Sequence, residues 1–202
     1  MEILITSKTR KGIAACIGGV VISNNRFVRL LNPGNRDQCA DTDINVGDIW
    51  EMSLTDREHL EPPHIEDVII NSKKFVRKMA NISNYIQNKG IKIYRGSPGS
   101  IFNGILRWTE KGSGYLEDKN DLPGNSVGFW ISNKDLELIE KHYYYPGLFK
   151  LMPGKRLHYV GFEATVNIIP AGTLIRVSLA RWWKPDDTYI AERCYLQLSG
   201  WY

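Results

Sequence analysis

Turn-forming residues interrupt this chain so often that its apolar stretches have room for short strands and little else. Asn24-Asn25, Gly112 and Gly114, Pro123-Gly124, Pro146-Gly147, Pro153-Gly154, Pro170 to Gly172 and Pro185 to Asp187 all favour a chain reversal. Glycine and asparagine do so because they tolerate positive φ, and proline because its φ is preset. Between these signals the apolar residues recur at a spacing of two. The pattern is clearest at 173–183, where Ile175, Val177 and Leu179 oppose Leu174, Arg176, Ser178, Ala180 and Trp182, and at 193–201, where Cys194, Leu196 and Leu198 oppose Arg193, Tyr195, Gln197 and Ser199. Such alternation puts one face of a strand in a core and leaves the other at least partly wet.

The same reading predicts strands over residues 2–7, 12–23, 26–31, 47–54 and 65–71, with a long polar loop at 32–45. Gly18-Gly19 lies inside the most apolar of them, where paired glycines mark a bulge or a barrel corner. Asn24-Asn25 makes the second and third strands a hairpin. Residues 84–89 read as a short helix stopped at Gly90, 91–95 as a strand, and Ser97-Pro98 as a helix start. Strands return at 128–131, 143–145 and 156–162, while the period leaves 135–141 undecided between helix and strand. The expected architecture is mainly β with a few short helices: two small barrels at 1–78 and 106–202, joined by a partly helical connector at 79–105.

Composition narrows the chemistry. A chain of 202 residues can bury roughly 70% of its unfolded surface without staples. Cys16, Cys39 and Cys194 include no CxxC pair, which argues against a disulfide framework or structural zinc and fits a reducing compartment. The start MEILITSKTRKG lacks the basic and long apolar regions of a leader, and no apolar run approaches the ~18 residues of a membrane span, so a cytoplasmic location is expected. The net charge of +4 is uneven: residues 142–202 carry 7 basic and 4 acidic side chains, together with most of the aromatics. That excess permits nucleic-acid binding without demanding it.

The opening TSK strand, RFVRLL, VGDIWEMSL and LEPPHIEDVII, followed by LRWTEKGSGYL, VGFWIS, LHYVGFE, PAGTLIRVSLARWW and ERCYLQLSGWY, resemble bacterial dual OB-containing domain proteins. The resemblance covers most of the chain and implies two OB-like barrels. It implies no activity, because fold does not fix function.

Four constellations could carry chemistry. An aromatic-basic face on the C-terminal barrel would comprise Arg176, Ser178, Trp182, Tyr195 and Gln197. Arg181, Trp183 and Lys184 stand at the strand end, and Arg107, Trp108 and Lys111 are possible contributors. Arginine would contact phosphate, Trp182 and Tyr195 would stack on bases, and Ser178 and Gln197 would hydrogen-bond. The competing expectation is that Trp182 or Trp183 packs inside the fold. Glu110 to Tyr115 contains a Gly-Ser-Gly loop able to offer N–H groups to phosphate, or a plain hairpin turn. Asp48, Glu61, His64, Glu66 and Asp67 have the residue types of a metal or acid/base site, against a turn and solvated edge. Lys8, Arg10 and Lys11 form a basic loop cluster. No nucleophile elbow, HExxH helix or EF-hand loop is present, and His59, His142 and His158 belong to no ligand set. The expected function is a non-enzymatic binding module for single-stranded nucleic acid or a nucleotide on the C-terminal barrel. A protein-interaction adaptor is the alternative, and a metal-dependent hydrolase or nuclease using residues 48–67 is the third reading. No cofactor, resident metal or membrane is expected.

Overall fold

The structure, a computed structural model, describes residues 1–147, 154–184, 186 and 189–202. Of the expected turn residues, Pro153, Pro185 and Asp187 lie outside these. The chain divides into two compact units, Met1–Ile91 with Tyr202, and Lys92–Trp201. Of residues 79–105, those up to 91 fall in the first unit and the rest in the second.

The first unit contains β1 (Glu2–Lys11), β2 (Ala14–Val21), β3 (Phe27–Leu31), β4 (Gln38–Cys39), β5 (Asp48–Asp56), β6 (Asp67–Lys78) and α1 (Ile82–Asn88). Five strands close into a ring, β1-β5-β6-β3-β2 and back to β1; β3 and β6 run parallel and the other neighbours antiparallel. This is the Greek-key order of an OB barrel. Closure follows from the apolar pattern. Ile3, Leu4, Ile5, Ile17, Val28, Leu30, Ile49 and Val68 are all at most 2% exposed.

The glycine pair does its work across the strand boundary. Strand β2 runs unbroken through Gly18 and Gly19, and the register shift falls on β1, where Thr6 is the extra residue between Ile5 (opposite Gly19) and Ser7 (opposite Gly18). A Cβ on Gly19 would lie 2.7 Å from Ile3 Cγ2 and 3.0 Å from the Leu4 carbonyl oxygen, so only glycine lets β1 bend this close. Three boundaries differ from the sequence reading. Strand β1 continues to Lys11, so the Lys8, Arg10, Lys11 cluster is strand rather than loop; Lys8 donates to the Thr42 carbonyl and Lys11 pairs with Asp37 at 2.8 Å. The loop at 32–45 contains β4, which pairs with β2. Strand β6 extends to Lys78 through a polar stretch that carries no apolar alternation. Helix α1 starts at Asn81, whose side chain accepts from the Asn84 N–H at 2.7 Å.

The second unit contains β7 (Ile93–Gly96), a 3-10 segment at Pro98–Gly104, β8 (Arg107–Trp108), β9 (Gly114–Leu116), β10 (Val127–Ser132), β11 (Leu136–Ile139), β12 (His142–Tyr145), β13 (Lys155–Tyr159), β14 (Ile168–Ile169), β15 (Leu174–Leu179) and β16 (Cys194–Trp201). Of residues 135–141, undecided by period, Leu136–Ile139 are strand and 140–141 a turn. Ser97 occupies the cap position before Pro98, although its side chain makes no capping bond. The neighbours β12-β13-β16-β15-β10 repeat the order β2-β3-β6-β5-β1 of the first unit, including the parallel pair, here β13 with β16. The ring differs in one respect: among the described residues β10 and β12 are not paired. Trp130, Tyr143, Leu157, Ile175, Val177, Leu196 and Leu198 fill its core. No helix among the described residues is long and apolar enough to cross a membrane.

Candidate functional site

Strand β16 is the hub of the second unit, because it pairs with β15, β13 and β9. Residues directly opposite one another share a face. Tyr195 lies opposite Tyr115, which lies opposite Arg107; Gln197 lies opposite both Ser178 and His158; and His158 lies opposite His142. Two residues along the same strands, Arg156 and Tyr144 join this face. The face is therefore the outer side of six strands, β8, β9, β12, β13, β15 and β16, on which Tyr115 is covered at 9% exposure, with Leu116, Leu157, Leu196 and Leu198 turned the other way into the core.

Aromatic rings form a row across it. Trp183 is 54% exposed, and its ring centroid lies 6.2 Å from that of Tyr195, which lies 6.0 Å from Tyr115. The bridge Trp183–Arg193 brings the arginine alongside, its guanidinium 4.0 Å from the Tyr115 ring centroid. Glu117 accepts from Arg193 Nε at 2.9 Å and from Arg107 at 2.9 Å, fixing both guanidinium groups beside the rings. At the other end the His142 and His158 rings are 5.0 Å apart. Burial, Arg156 and His158 push the His142 imidazole below its ordinary pKa; burial, Lys141 and Arg156 do the same to His158. Both shifts favour the neutral imidazole, which offers stacking and hydrogen bonds rather than charge.

The structure brings Arg107, Ser178, Trp183, Tyr195 and Gln197 to this face and leaves three expected members off it. Arg176 is 1% exposed; its guanidinium donates to the Val177 carbonyl at 2.8 Å and lies over the Phe129 ring. The supposedly wet face of β15 is covered at its start, since Leu174 and Arg176 are as buried as Ile175 and Val177. Trp182 packs against the core with Lys119 over its ring, because β15 ends at Leu179 and the alternation does not continue to residue 182. Trp108 also packs against the core, beneath Lys155 Nζ at 4.2 Å. Arg181 is half-buried, Lys184 is exposed beside Trp183, and Lys111 is exposed in the β8–β9 turn.

Tyr115, Tyr144, Arg156, His158 and His142 were not singled out for this face, and Arg193 was read onto the outer side of its strand without being counted among the ligand contacts. Part of the signal was present in the alternation of RLHY and HYYY, where Arg156, His158, His142 and Tyr144 fall on one side. The Gly-Ser-Gly loop is no phosphate cradle. The Gly112 N–H already donates to the Thr109 carbonyl and the Ser113 N–H to Thr109 Oγ1, while Ser113 Oγ accepts from Arg156 Nε at 2.9 Å.

The acidic group of the first unit does not converge either. Asp67 is 1% exposed and binds Arg29 through both oxygens, at 2.5 and 2.7 Å, and Arg57 at 2.7 Å. Asp48 accepts from the Asn45 N–H at 2.9 Å, and Glu61 bridges to His64 through the backbone. Among the described residues no three His, Cys, Asp or Glu side chains gather as metal ligands.

Over residues 1–201 the chain matches the family described as "Dual OB-containing domain". Neither a curated protein nor a solved structure matches it.

Proposed function

The chain belongs to the dual OB-containing domain family, and on that premise we propose that it is a binding module which takes single-stranded nucleic acid on the outer face of its second unit. The observation that carries this reading is the ring row Trp183–Tyr195–Tyr115 with Arg193 and Arg107 held beside it. Aromatic platforms stack on bases irrespective of sequence, and flanking cations meet the phosphates. The face continues over β12 and β13, the equivalents of the second and third barrel strands on which OB folds commonly bind oligonucleotides or oligosaccharides. Trp183 and Tyr195 stack; Arg107, Arg156, Arg193 and Lys184 contact phosphate; Ser178, Gln197 and the two histidines hydrogen-bond to base edges.

Titration of the full chain with a short single-stranded oligonucleotide, followed by tryptophan fluorescence, tests this. Loss of one stacking platform costs about 1–3 kcal/mol, so Trp183→Ala and Tyr195→Ala each weaken binding at least several-fold while the fold persists. Glu117 offsets part of the positive charge, so about two to three phosphates are neutralised, giving a slope of log K against log salt of roughly −2. Absence of oligonucleotide binding at low salt refutes the proposal.

A protein partner is the second reading. It is favoured by Trp183, Tyr189 and Ile190, all exposed on the connection between β15 and β16. Salt separates the two, since an apolar protein contact survives added salt and phosphate binding does not.

A further inference from the structure

Strand β6 supports a second interaction surface, on the first unit. Residues 67–69 pair with β3, but from Asn71 to Lys78 the strand pairs with β5 alone. All eight of these residues are exposed. On a regular edge strand alternate residues aim N–H and C=O outward; the register against β5 shifts at Asn71 and at Val76, so the regular run is Ser72–Phe75 and about two donor–acceptor pairs stand open there. Edges are usually kept short to prevent such exposure; this one is eight residues long and carries Phe75 at 50% and Val76 at 39% exposure near its middle.

The charge on the edge selects what can cover it. Lys73, Lys74, Arg77 and Lys78 are basic, and β6 has no acidic residue after Asp67. Each has an acid near it: Asp43 pairs with Lys73, Glu2 meets Arg77 at 3.4 Å, and on β5 Glu51 and Asp48 lie opposite Lys74 and Lys78. A strand added at the outer edge would sit about 5 Å from the β6 cations and about 10 Å from β5, roughly one Debye length. A second copy of β6 would therefore set lysine against lysine, which disfavours self-pairing. We propose that the Asn71–Lys78 edge accepts an extended acidic segment of a partner protein as an added strand. Backbone hydrogen bonds would supply the pairing; Lys74 and Arg77, which share a face, would meet alternate carboxylates, and Phe75 on the opposite face would pack on the intervening apolar side chains.

The test uses the full chain and three labelled probes: an eight-residue Glu-Val alternating peptide, a Lys-Val peptide of the same length, and a thymidine oligonucleotide. Anisotropy should show salt-sensitive binding of the Glu-Val peptide and none of the Lys-Val peptide. Hydrogen exchange should show new protection confined to outward amides within residues 71–78. The double variant K74E/R77E should lose at least tenfold in affinity for the Glu-Val peptide and gain the Lys-Val peptide. Should that variant fail to fold, the exchange pattern of the unmodified chain decides alone. Glu-Val binding without amide protection, equal binding of the two peptides, no binding at all, or an oligonucleotide that protects the same amides would each overturn the proposal. Because the Trp183 face belongs to the other unit, mutating it tests the nucleic-acid reading separately.

Discussion

Asp67→Asn removes one negative charge from the most heavily engaged carboxylate of the first unit and keeps its shape. In the native barrel this group anchors Arg29 on β3 and Arg57 on the β5–β6 connection, at the start of the parallel β3–β6 pair. The Arg29 guanidinium is held well above its ordinary pKa: burial opposes the charge, and the bonds to Asp67 together with nearby charges, Asp37 among them, more than offset it. Two guanidinium groups left around a neutral amide repel each other. Removing one partner of a buried pair costs about 3–5 kcal/mol. Arg29 and Arg57 keep 18% and 31% of their side-chain surface in water, which relieves part of the repulsion, so the lower end, about 3 kcal/mol, applies. With a urea slope of about 1.5 kcal/mol per molar, the first unit's midpoint should fall by about 2 M. Because two units can unfold separately, the transition is best followed by exchange of the β3 and β6 amides rather than by a whole-chain signal. Asp43→Asn, which removes an ion pair whose carboxylate is 61% exposed, serves as the control and should shift the midpoint little. A loss below about 0.5 kcal/mol in Asp67→Asn, indistinguishable from that control, would show that the network does not hold β3 to β6.

Gly19→Ala should cost about 1–3 kcal/mol, because its methyl must displace Ile3 and the β1 backbone; an unchanged melting temperature would contradict the 2.7 Å approach. Arg176→Ala should destabilise the second unit yet leave oligonucleotide affinity of the folded protein unchanged, since its side chain is 1% exposed; a selective affinity loss by fluorescence titration would contradict this. Both face histidines have folded pKa values below the ordinary 6.5, so the unfolded chain takes up protons first as pH falls. Stability should therefore be full above about pH 6.5 and decline as the pH drops through the lowered folded values; His158→Gln should flatten thermal melts between pH 7.5 and 5.

Much of the strand content was legible because alternation and turn chemistry are local. The hairpin at Asn24-Asn25, the core faces of β15 and β16, and the helix ahead of Gly90 all followed from neighbouring residues. What covers a strand's second face is not local. Arg176 and Ser178 read alike in sequence, yet Arg176 is enclosed beside Phe129, which comes from β10 almost fifty residues earlier. Strand β6 was foreshortened for the opposite reason: SKKFVRK has no buried face, and only its pairing with β5 makes it a strand. The outer face of the second unit was legible in part. Tyr195 and Trp183 stand where an aromatic surface was expected, while Trp182 exchanged places with Trp183 because β15 stops three residues short of it.

The ring order of the first unit has a consequence for synthesis. As the chain leaves the ribosome, β1, β2 and β3 emerge first and can fold as a meander, but β1 lacks its second neighbour until β5 appears and β3 lacks its own until β6 does. Those joins link residues about 40 to 50 positions apart, so the three early strands wait with two raw edges through the translation of roughly fifty more residues. A pause in elongation before Lys78 clears the exit tunnel would lengthen that wait, and slow codons placed there should lower the soluble yield of this protein more than the same codons placed so late that Lys78 has already emerged.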